Sequence, residues 1–209
     1  MREPIKEIFL AAALLDRATE AHLAGDRVSA AALIRNADMP EIRSWTESLW
    51  GSRKANPDQC RFHRFRAISD APPLLSKPDR VQLRMPSAED RTKLIVKYGR
   101  NCTFCGIPLI RSEIRSAFSV AYPEAAYWGG TNFTQHAAFQ CLWLQFDHVV
   151  PHSRGGDNSI DNVLITCSGC NYGRMHWILD EVGLIDPRGI PTKRTTWDGL
   201  ERFLSRRDG

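Results

Sequence analysis

The sequence predicts an α+β protein, and three observations carry that expectation. Residues up to about 50 bear apolar side chains at helical spacing, punctuated by Gly25 and Pro40. Between Phe146 and Arg174 the pattern becomes strand, turn, strand and helix start, a β-β-α unit dense in reactive side chains. Two Cys-x-x-Cys pairs, Cys102 with Cys105 and Cys167 with Cys170, stand about sixty residues apart, the second inside that unit.

A chain of 209 residues suffices for one core with an appendage, or for two small domains. Its apolar and charged fractions are those of ordinary globular proteins, which removes disordered and fibrous classes. The formal charge of +4 favours a polyanionic partner only if the cations gather on one face. The apolar run Ile8 to Leu15 is bounded by Glu7, Asp16 and Arg17, too short and too charged for a membrane span and without a signal-peptide cleavage pattern. The expectation is a cytoplasmic protein with no membrane partner. In that compartment paired cysteines read as metal ligands before disulfides, while Cys60 and Cys141 stand alone.

In chain order, residues 1–51 read as a small N-terminal bundle of three helices. The first runs from about Pro4 to Leu23, with Gly25 as its stop; Asp26 caps the second; Pro40 opens the third, which carries Trp45, Leu49 and Trp50 on its apolar side. A helix-turn-helix that reads DNA is the alternative, but the middle helix is rich in Ala and short of side chains that reach base edges. Residues 52–86, rich in Pro and basic side chains, form a linker or arm. Within it Cys60 to Arg66 alternates cations with aromatics, which suits either a strand tracking a phosphate backbone or a half-buried edge.

Residues 87–209 form the remaining domain. Ser87 and Asp90 make a capping box for a helix through Tyr98, stopped by Gly99, that delivers the first cysteine pair. An insert over about 107–140 holds a helix near Ile114 to Ala121 and the side chains Tyr127, Trp128 and His136, which suit either nucleic-acid contact or a satellite core. A strand over Cys141 to Phe146 runs into Asp147-His148; Pro151 to Asn158 is a loop; Val163 to Ile165 is a second strand; and a helix follows Cys170 through Met175, Trp177, Ile178 and Val182. A last helix spans about 195–205, with Trp197, Leu200, Phe203 and Leu204 facing the domain.

Two thiolate pairs complete a closed tetrahedral shell, so Cys102, Cys105, Cys167 and Cys170 are predicted to hold a structural Zn²⁺. With Asp147-His148-x-x-Pro151, Gly155-Gly156, Asn162, Asn171 and Arg174 added in order and at their spacing, the segment from about Ser87 to Val182 resembles the HNH endonuclease family, in its zinc-stapled form. Residues 1–86 resemble no family we name.

That resemblance implies a ββα-metal finger and a metal-dependent endonuclease that hydrolyses DNA, nicking as a monomer and cutting both strands as a dimer. By match to the motif, His148 is the general base, Asn162 orients it through its amide or backbone carbonyl, and Asp147 and Asn171 ligate a catalytic Mg²⁺, Mn²⁺ or similar ion. Arg174 stands where the family often has lysine and is expected on a phosphate, with Arg154 and His152 as weaker nucleic-acid contacts. Family habit adds restriction, phage defence or mobile-element biology. The helical module is expected to recruit a protein partner or a second copy. Two alternatives stay open: a zinc-stapled nucleic-acid-binding module without catalysis, and the same chemistry on RNA.

Overall fold

The computed structural model describes residues 3–50, 66–190 and 195–205, and the cation-aromatic run at 60–65 and the Trp50 side chain lie outside them. Helix α1 (Lys6–Leu23) buries Ile8, Ala11, Ala12, Leu15, Ala18 and Thr19, a stripe at helical spacing. The carboxylate of Asp26 accepts from the Ser29 amide and starts α2 (Arg27–Asn36), and α3 (Pro40–Trp50) follows. These helices are not set apart from the rest: α3 lies against the later helices α6 (Ala137–Cys141) and α7 (Ser168–Arg174), and Ile8, Leu49, Cys170 and Phe203 belong to one continuous core. The closest approach is at Gly169, where a Cβ would come within 2.8 Å of the Leu49 Cδ1.

Helix α4 (Ala88–Tyr98) starts at the Ser87 cap and ends at Gly99, whose positive φ of 75° suits glycine. The first cysteine turn follows. Thr103 donates through its amide (3.0 Å) and its hydroxyl (2.9 Å) to the Ile165 carbonyl, which sets the turn on the edge of the second strand. The long insert folds back because Ile110 exchanges backbone bonds with Leu142 and Leu144 at 2.8 and 2.9 Å. Helix α5 (Ser112–Ala121) packs beneath.

His136 is buried, and Tyr127 and Trp128 are half-buried against neighbouring side chains. The His136 Nε2 lies 2.9 Å from the Ile34 carbonyl, the Tyr127 hydroxyl donates to Asp38, and Trp128 stacks under the Arg115 guanidinium at 3.8 Å.

The sheet is a single antiparallel pair, β1 (Leu144–His148) and β2 (Val163–Cys167), with Leu144 opposite Cys167 and His148 opposite Val163. Two elements differ from expectation. Residues 137–141, expected to lead into a strand, form α6, because a run buried on every side carries no period and the His136 ring accepts from the Phe139 amide to start a helix. The helix after Cys170 ends at Arg174 rather than continuing to Val182. Met175 turns to φ 55°, which brings the Trp177 carbonyl back to Arg174.

Two outer segments close the molecule. Residues 66–86 run as a strap along the loop after β1: the Leu75 amide donates to the Ser153 carbonyl at 2.8 Å, and the carbonyls of Pro72, Val81 and Leu83 meet side chains of Arg154, His152 and Asn158. At the other end a 3-10 turn, Glu201–Leu204, stands where a helix was expected. Phe203 stacks on Phe118 (3.8 Å) and on His22 (4.3 Å), and Arg202 pairs with Asp16, Glu20 and Asp198.

Leu49→Ala should therefore loosen the cysteine-bearing helix as well as α3. The expected destabilisation is about 2–5 kcal/mol, read as a lower urea midpoint with an unchanged slope.

Candidate active site and metal centre

The four paired cysteines converge. Their sulfurs all lie within 4.8 Å of one another, and Cys105 Sγ to Cys167 Sγ is 3.8 Å. A tetrahedron with metal–sulfur bonds of about 2.3 Å has sulfur–sulfur edges of about 3.8 Å, so the cluster is compatible with structural zinc. Burial alone would hold the Cys102, Cys167 and Cys170 thiols protonated. Hydrogen bonds from Cys105, Cys167 and Cys170 nevertheless carry Cys102 well below the ordinary thiol value, while Cys167 and Cys170 are pushed up. Cys141, buried in α6, is outside the cluster.

Asp147 and His148 end β1, one residue turned to each face of the pair. Both Asp147 oxygens accept from Arg174, through Nε at 3.0 Å and through Nη2. Burial pushes the Asp147 carboxyl up, and the guanidinium works against it. The His148 Nε2 lies 2.8 Å from the Oδ1 of Asn158, whose amide nitrogen donates to the Leu83 carbonyl. That carbonyl can only accept, so the amide nitrogen must face it and the amide oxygen must face the ring. Nε2 then carries the proton, and Nδ1 keeps its lone pair. Burial holds the ring below the ordinary histidine value, against the Asn158 bond and the Asp147 charge, which keeps it neutral near pH 7.

Asp147, His148 and Asn171 line one cleft of about 530 Å³, walled on its far side by the strap. The Asn171 amide nitrogen faces Gln145 Oε1 at 3.4 Å. Residues 129–183 match the family model described as HNH endonuclease. Through this segment the chain is similar to the HNH endonuclease family. No curated protein and no solved structure matches the chain. The HNH segment covers β1, β2, α7 and the second cysteine pair, and it points to a nuclease-type function on a nucleic-acid substrate.

Within the HNH segment the predicted residues fare differently. Asn162 makes no hydrogen bond to the His148 ring. Its Oδ1 accepts from the Val150 amide (2.9 Å), its Nδ2 donates to the Val150 and Asp157 carbonyls, and its own carbonyl accepts from Val149. It shapes the loop that carries His148, and Gly156 is required beside it, since a Cβ there would meet the Val150 oxygen at 1.8 Å.

Arg174 does not face a phosphate. It is 1% exposed, and its guanidinium is shared among Asp147 and the carbonyls of His148, Val149 and Trp177. Arg154 is likewise turned inward: Nη2 pairs with buried Glu181 at 3.1 Å, Nε donates to the His176 carbonyl and Nη1 to the Pro72 carbonyl. His152 lines the cleft, but its Nε2 is bonded to the Val81 carbonyl at 2.8 Å.

Sequence reasoning missed Asn158. Its only signal was position, ten residues after His148 in a loop rich in turn formers, where asparagine ordinarily serves the backbone.

Two outcomes follow from this geometry. Purified protein should carry about one zinc per chain by elemental analysis, and Cys170→Ser should lose the metal and melt well below the parent. Arg154→Ala, by stranding a buried Glu181 carboxylate, should cost about 3–5 kcal/mol in urea unfolding, and Arg154→Met with Glu181→Leu should recover most of it.

Proposed function

We propose that the protein is a metal-dependent endonuclease that hydrolyses DNA phosphodiesters one strand at a time, with β1, β2 and α7 acting as a ββα-metal finger. The observation that carries this reading is the shared cleft: the His148 imidazole, the Asp147 carboxylate and the Asn171 amide line the same space. Each Asp147 oxygen has a lone pair beyond the one engaged by Arg174, and the Asn171 amide offers a second oxygen type suited to a small divalent ion that keeps several waters. An ion held by these two residues would supply Lewis acidity to the pentavalent phosphorus and the departing 3′ oxygen.

The steps assigned to the chain's own residues are positional and protonic. His148 Nδ1 takes the proton from the attacking water, and Asn158 fixes which ring nitrogen is available to do so. Asn162 and Gly156 hold the loop at the depth that sets the ring against β2. Arg174 works against the burial that favours the protonated Asp147 carboxyl and fixes its rotamer. The product ends are a 5′-phosphate and a 3′-hydroxyl.

A rival reading has one observation in its favour. The Asp147–Arg174 pair already neutralises the carboxylate, as it would in a module that binds nucleic acid without cutting it. Supercoiled plasmid and circular single-stranded DNA incubated with Mg²⁺ decide between the two. The nuclease reading expects nicked and linear products, with His148→Ala slower by about 10²–10⁴-fold. Retention of both substrates on the protein, with no cut by parent or variant, would establish the binding module instead.

A further inference from the structure

The cations that the sequence offers for phosphate contact inside the HNH segment, Arg154 and Arg174, are consumed by internal bonds. The cleft is nevertheless cationic. Lys77, Arg80 and Arg84 line it, all from the strap, against a single carboxylate, Asp147, that Arg174 already balances. The strap's nearby acid, Asp79, is turned to the Ser76 hydroxyl. Arg80 binds the Leu75 carbonyl through Nε and Nη2, which fixes the turn. Lys77 and Arg84 are exposed, and neither side chain has a hydrogen bond or ion pair among the described residues.

The strap is a fixed wall. Four of its backbone groups are bound by the loop after β1: the Leu75 amide by Ser153, and the carbonyls of Pro72, Val81 and Leu83 by Arg154, His152 and Asn158. Tyr172 and Met175, from α7 and the residue that ends it, line the same cleft together with Met85 of the strap, each 46% exposed. Cations that share a cleft with an aromatic and two thioethers make the surface that single strands use, with phosphates held by the charges and base faces by the apolar side chains. A space of about 530 Å³ has room for a short run of one strand.

We propose that the strap is the substrate-binding wall of the site. A single DNA strand lies between residues 77–84 and α7, with Lys77 and Arg84 on phosphates flanking the one presented to His148. This deepens the nuclease reading and rests on it for the chemical class of the ligand. The strap lies outside the matched residues 129–183, so nothing in the family match assigns it this role.

The test separates binding from cutting. In a His148→Ala background, fluorescence anisotropy of a short labelled DNA strand should report salt-dependent binding. Adding Lys77→Glu and Arg84→Glu should weaken it at least tenfold at low salt and flatten the slope of log affinity against log salt by about 1.4, the release expected of two single-strand phosphate contacts. The same oligonucleotide annealed to its complement should bind more weakly. Because the docking bonds of the strap are made elsewhere, melting temperature should not move; if charge reversal does unfold the protein, Lys77→Gln with Arg84→Gln gives the same reading with about the same loss of slope. An affinity and slope unchanged by either pair, a duplex bound as tightly as the strand, or an RNA strand bound in preference to DNA would overturn the proposal. Strand binding that depends on Lys77 and Arg84, in a parent protein that never cuts, would refute hydrolysis while leaving this surface standing.

Discussion

The guanidinium of Arg174 is the interaction on which the site depends. It stands at the end of α7 and reaches across to the end of β1, bonding the Asp147 carboxylate and the carbonyls of His148 and Val149, and it turns the chain at Trp177 back toward itself. A charge so deeply buried is stable only when every donor is satisfied, and here the donors are satisfied by groups from both sides of the strand–strand–helix unit. The same bonds that solve the burial problem set the angle between helix and sheet. They also explain why α7 is short: its last turn is spent on carbonyls for Arg174 rather than on its own continuation.

Around that bond the architecture is layered by who fixes whom. The cysteine cluster pins the start of α7 to the turn after α4, and α3 presses on Gly169 between the two cysteines of the second pair. The strap then closes over the loop that carries His148, and its Leu83 carbonyl decides the orientation of the Asn158 amide and hence the ring nitrogen that holds a proton. A backbone atom far from the motif in sequence thus sets the chemistry of the motif's central side chain.

What the sequence made legible follows a physical divide. Cysteine spacing, the Ser87 and Asp26 caps, the Pro40 start and the Asp147-His148 step were readable because each is a local requirement written in residue type. The two arginines were not. A cation's letter says nothing of whether it faces water or a buried carboxylate, and Glu181, the partner that draws Arg154 inward, lies 27 positions away. Asn158 was hidden for the same reason, since its role needs Leu83, 75 positions earlier. The start of the first strand, expected at Cys141 and found at Leu144, failed differently: Cys141 closes α6, where burial on all sides erases the period that distinguishes helix from strand. The helical module looked separable because its own pattern is self-consistent, while its outward face, Trp45 and Leu49, meets a glycine that carries no signature of being a docking point.

The clasp between Phe203, Arg202 and the first helix ties together residues up to 186 positions apart. During synthesis, α1 would leave the ribosome long before its stacking partner is translated, so its inner face must wait against a provisional neighbour. Closure by such distant contacts is slow to search for and comes late.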